Sequence, residues 1–159
     1  MVYRVYVEKK PGLRQEAAAV RRELNDLPGV EVRELRLLNR YDVEGLDEAL
    51  FRRAVPAVFA EPQTDDTCDR LPEGADWVLA VESLPGQFDQ RADSAAQCVQ
   101  LLSQQQRPLV RFARVYLFYG ALDEAAKAAI KRTLINPVEC REAELAARPL
   151  RTGAHVVDI

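Results

Sequence analysis

Two stretches of the sequence, VYRVYVEKKPG from Val2 to Gly12 and DWVLAVESLPG from Asp76 to Gly86, align without a gap at a shift of 86 minus 12, or 74 positions. Tyr3, Val5 and Val7 share one parity in the first, and Trp77, Leu79 and Val81 share it in the second. A period of two in β-branched and aromatic residues predicts a half-buried strand. Pro-Gly then ends each strand by fixing one backbone angle and freeing the next. The following segments place apolar residues at Leu13, Ala17, Val20, Leu24 and Leu27, and at Phe88, Ala92, Ala95, Val99 and Leu102. Both series advance by four, three, four and three, the stripe of one amphipathic helix, now displaced by 88 minus 13, or 75 positions.

The correspondence continues beyond the helices. Val30 and Val32 keep one parity and Leu35 and Leu37 take the other; Val110 and Phe112 followed by Val115 and Leu117 do the same. Such a slip would turn side chains to the wrong face unless the backbone absorbs a residue, so a bulge or bend is expected in each second strand. LDEAL at Leu46 and LDEAA at Leu122 each open a short helix with acidic residues in its first turn, where the helix dipole favours them. Each half therefore reads strand, helix, strand, helix, with a final strand after Pro62 or Pro137. The expected fold is α+β, two tandem repeats (1–68 and 77–145) related by a pseudo-twofold, with residues 69–76 as linker and 146–159 as a tail or the start of a further linker. A lone unit of this size has one sheet face covered by helices and one bare, so the two copies are expected to cover each other.

Several functions are disfavoured by composition and spacing. The net charge is −3, and neither half is basic: 12 basic against 15 acidic residues up to Ala75, then 10 against 10. Nucleic acid is therefore not an expected partner. Apolar runs are far shorter than the roughly 20 residues of a membrane span, and no signal-peptide pattern precedes Glu8, so no membrane partner and a cytoplasmic location are expected. Neither G-x-G-x-x-G nor P-loop spacing occurs. Asp65, Asp66 and Asp69 lack the spacing of a calcium loop and read as a solvated turn. Cys68, Cys98 and Cys140 are too few and too scattered for a zinc motif, and the single histidine, His155, lies in the tail.

What remains is the polar stretch Gln87–Ser94 at the start of the second repeat's helix. Asp89 or Asp93 can cap that helix while Gln90 and Arg91 face solvent. The matching residues of the first half, Arg14, Gln15 and Glu16, form a plainer surface, so the second copy differs where a contact would be made.

The blocks VYRVYVEKKPG, LLNRYDVEGLDE, VFAEPQTD, LPGQFDQRADSAAQC, ARVYLFYG and LINPVECREA, in this order, resemble the N-terminal region of large single-chain phosphoribosylformylglycinamidine synthase. The resemblance runs from about Val2 to Leu145, and that region of the family is similar to a dimer of the small protein PurS, in agreement with the repeat. It implies a complete enzyme that uses ATP, Mg and glutamine to convert formylglycinamide ribonucleotide to formylglycinamidine ribonucleotide. The ATP-dependent synthetase and the glutaminase lie in later domains, so neither catalytic residues nor a cofactor are expected in this chain. The PurS-like part is expected to pack between the two catalytic parts, to help join them and to guard the ammonia path. Gln87, Phe88, Asp89, Gln90, Arg91, Asp93 and Ser94 are then candidates for a docking surface, with Asn136, Glu139 and Arg141 as a second set; Phe88 is alternatively core. Self-association of the domain is a further expectation. Two rival readings stay open: a free-standing regulatory module with a small molecule held between the repeats, and an enzyme of another kind.

Overall fold

The computed structural model describes residues 1–147. The first half runs β1 (Val2–Lys9), α1 (Gln15–Asn25), β2 (Glu34–Glu44), α2 (Glu48–Ala54) and β3 (Asp65–Cys68). The second runs β4 (Trp77–Ser83), α3 (Gln90–Ser103), β5 (Leu109–Tyr119), α4 (Glu124–Leu134) and β6 (Cys140–Glu142). Gly12 and Gly86 end β1 and β4 at φ of 91° and 88°, a backbone conformation open to glycine and strained for other residues. Asp47 and Asp123 cap α2 and α4, each accepting a hydrogen bond from the backbone N–H three residues on. A π-helical turn through Val55–Phe59 extends α2.

The strands of the described residues lie in one antiparallel sheet of six, in the order β3-β1-β2-β5-β4-β6. The sequence repeat carries through to the pairing. Moving β1 by 74 and β2 by 75 turns the pair Val5–Tyr41 into Leu79–Tyr116, which is the pair found in the second half. Moving β1 by 74 and β3 by 75 turns Val7–Thr67 into Val81–Glu142, also found.

Two sequence expectations are corrected. The halves do not cover each other's bare faces; they join edge to edge, β2 against β5 over the whole of both strands. The change of parity is not a bulge within the paired strands, because the β2–β5 register runs unbroken from Glu34–Tyr119 to Glu44–Leu109; in the first half it falls at a bend, at Arg33 just ahead of β2. In the first half Val30 and Val32 precede the strand and are buried beneath α1. In the second half both parities belong to one strand that is buried on its two faces. Val110, Phe112, Tyr116 and Phe118 face the helices, and Ala113, Val115 and Leu117 face away.

The helix-covered face holds two cores, each assembled from both halves. One joins Leu24, Val32 and Leu35 to Leu79, Phe118 and Ile130. The other joins Val5, Tyr41, Val43 and Phe59 to Ala95 and Val99. The opposite face is closed by the 69–76 connection, through Leu71 and Ala75, and by the segment after β6, through Ala143. Charges are buried there as pairs: Arg4 grips Asp42 at 2.6 and 2.8 Å, and Arg36 grips Glu8 at 2.9 and 2.6 Å. Arg40, beside Asp42, donates to the Glu144 carbonyl at 2.8 Å, and burial, then Arg4, pushes its guanidinium pKa down. The tail, apart from Ala146 and Ala147, lies outside the described residues.

Leu24→Ala is expected to lower the unfolding free energy by about 3–5 kcal/mol, since Leu24 is fully buried between the halves. Leu13→Ala, at the exposed start of the same stripe, should change it by under about 0.5 kcal/mol. Asp42→Ala should cost about 3–5 kcal/mol by leaving Arg4 and Arg40 without their carboxylate. Urea denaturation followed by circular dichroism measures all three.

Candidate functional site

The loop from β4 to α3 carries most of the residues selected from sequence. The Gln87 N–H donates to the Leu84 carbonyl at 3.0 Å and closes a turn around Pro85-Gly86. Asp89 caps α3, its carboxylate accepting from the Ala92 N–H at 3.0 Å. Gln90 donates to the Ser94 hydroxyl at 3.3 Å, and Asp93 is held in a contact with Arg107. The Arg91 guanidinium sits 5.0 Å over the Phe112 ring. Phe88 is 69% exposed, so the alternative that it is core is corrected. It stands one residue ahead of the helix cap, where the turn leads it away from the sheet.

The second set falls beside the first. Asn136 shapes the turn into β6: its carbonyl accepts from the N–H groups of Glu139 and Cys140, and its side chain from that of Val138. The Leu84 N–H reaches the Glu139 carbonyl at 3.0 Å, and the Gln87 amide reaches the Val138 carbonyl at 3.5 Å. The two loops thus form one surface at one end of the sheet. Val138, 72% exposed, was not selected from sequence; with Phe88 it makes the surface apolar as well as polar. The matching positions in the first half are Leu13, 41% exposed, and the exposed Gln63. Arg141 is set apart by its pairing with the buried Glu82 at 2.8 Å.

A second feature lies where the halves meet on the helix-covered face. A cavity of about 280 Å³ opens there, bordered by the first turn of α1, by Arg91 of α3, and by Asn39 and Arg114 on the central strands. Asn39 and Arg114 pair directly across β2 and β5. Neither was selected from sequence, although each is a polar residue at an inward parity that is otherwise apolar or aromatic. Arg114 contacts Glu16, while its Nε is buried with no hydrogen-bond partner among the described residues. Nearby, Asp65 is held below the usual carboxylate range: its partial burial opposes this, but the Glu61 N–H and Lys9 outweigh it. Cys68, Cys98 and Cys140 are free, and burial pushes the Cys68 thiol up, away from the reactive thiolate. No group of three or more His, Cys, Asp or Glu side chains able to hold a metal ion occurs among the described residues, and no helix among them is long and apolar enough to cross a membrane. Comparison with known protein families finds no matching family model, and comparison with curated proteins finds no significant match.

Removing the cap by Asp89→Ala is expected to cost about 1 kcal/mol of stability. Arg91→Ala should cost less than about 1 kcal/mol, the size of an exposed cation–π contact. Arg22→Ala, on the exposed side of α1, serves as the control, and thermal melts of the three variants separate the cap from the surface.

Proposed function

We propose that this chain is a non-catalytic PurS-like domain of a phosphoribosylformylglycinamidine synthase, acting as a docking piece between the synthetase and glutaminase parts and shielding ammonia passage between them. Its two halves are read as copies related by a pseudo-twofold axis passing between Asn39 and Arg114. The matching registers support that reading, because the 75-residue shift carries Asn39 onto its own pairing partner. ATP, Mg and glutamine are assigned to the catalytic domains of the cytoplasmic enzyme rather than to this chain.

The observation that carries the docking role is the asymmetry of the two ends of the sheet. Phe88 and Val138 both stand exposed on the joined loops of the second half, with Gln87 reaching the Val138 carbonyl, whereas the matching positions of the first half are Leu13 and Gln63. An exposed aromatic and an exposed β-branched residue on one polar loop surface have the composition of an interface centre and its rim. The cavity between the halves favours the ligand-binding module as a second reading, and the two roles are compatible in one domain.

Calorimetric titration against the synthetase and glutaminase parts, supplied as separate chains, tests the docking role. Phe88→Asp is expected to weaken association at least tenfold and Leu13→Asp to leave it unchanged. If no complex forms, and glutamine-dependent turnover of the catalytic parts is the same without this chain, the proposal fails.

A further inference from the structure

The inward side of the central strands is apolar or aromatic at Leu35, Leu37, Tyr41 and Val43 of β2, and at Val110, Phe112, Tyr116 and Phe118 of β5. Only the paired Asn39 and Arg114 break the pattern, midway along both strands and between the two cores. A polar pair is costly at an inward position unless something satisfies it. Helix packing does not do so here: the cavity lies over the pair, Asn39 is only half-buried, and the Arg114 side chain, 31% exposed overall, has its Nε buried and unpartnered among the described residues. A buried donor of this kind calls for a water, an ion or a ligand.

The cavity's charge indicates which. Lys9, Arg14, Arg91 and Arg114 line it against Glu16 and Asp65, an excess of two positive charges. Lys9 is 2.9 Å from Asp65, Arg14 is 3.4 Å from the buried Glu8 behind the lining, and Arg114 contacts Glu16, so Arg91 is the one lining cation with no carboxylate partner among the described residues. Tyr41 and Phe59, 4.9 Å apart between ring centres, supply an apolar wall. We infer that the cavity binds a small organic oxyanion. Its carboxylate or phosphate lies between Arg91 and Arg114 with the Asn39 amide as a further donor, and its body lies against Tyr41 and Phe59. Guanidinium forks match the paired oxygens of either group. The volume, near the lower end of the ~300–1,000 Å³ usual for ligand pockets, restricts the guest to a small metabolite.

This inference does not depend on the docking role, and the chain alone tests it. Arginine Nε–Hε resonances would be followed by heteronuclear NMR during titration with inorganic phosphate, benzoate and, as the ionic-strength control, chloride. A saturable shift of the Arg114 signal is expected with phosphate or benzoate, half-complete below about 10 mM; the probe that saturates identifies the head group. Arg91→Gln should weaken that binding at least tenfold, with the amide spectrum otherwise preserved, and Arg22→Ala should leave it unchanged. Arg114→Gln, read through the Arg91 Nε–Hε signal instead, should abolish the saturable shift. Shifts that rise without saturation for both probes, or match those with chloride, or survive Arg91→Gln at full affinity, would overturn the assignment.

Discussion

Eleven consecutive residue pairs between β2 and β5 hold the two halves in one sheet, and the other layers follow from that register. Successive residues of a strand face opposite ways, so a slip of one position would move Leu38 to the helix side and expose Tyr41 and Val43 to the buried charges opposite. The same pairing brings the start of β2 to the end of β5. That is why α1 shares a core with α4, and why α3 shares one with the turn after α2. Neither half owns a core of its own, which makes the chain a single cooperative object.

The face away from the helices depends on the register in another way. Paired charges taken out of water gain little net stability over apolar residues, but an unpaired one is costly, so they penalise misalignment. Glu8 and Glu82 occupy matching positions, 74 apart, and both are 7% exposed. Their partners differ: Arg36 of β2 serves the first and Arg141 of β6 the second. Arg40 and Arg4 also fasten the segment after β6 by donating to the carbonyls of Glu144 and Leu145. The buried charges thereby fix where the chain goes after its last strand.

Much of the order of strands and helices was legible because it rests on local rules. The alternation in β1 and β4, the Pro-Gly stops and the helical stripes each state one element, and their common spacing states the repeat. What was not legible is how the copies meet. Edge-to-edge and face-to-face joining both bury apolar surface, and the doubly apolar β5 admits a bulged reading as readily as a strand covered on two sides. At the candidate site, the polarity of Gln87–Ser94 marked a loop that does stand at the surface, although Asp89 and Asp93 are spent on a cap and an ion pair. Val138 went unselected because its exposure comes from the turn geometry set by Asn136, and Asn39 and Arg114 because their meaning appears only when β2 lies beside β5.

The central Asn39–Arg114 pair bears on how such a chain could have arisen. In an assembly of two identical subunits joined this way, the residue at the centre of the pairing would have to face itself, asparagine with asparagine or arginine with arginine. Two arginines there would repel, and two asparagines would carry no charge. Joining both copies in one polypeptide removes the requirement of sameness, so one copy can supply a cation and the other a neutral amide at the same spot. Fusion thus permits a lopsided centre that a homodimer cannot encode, and each copy can then drift separately around it.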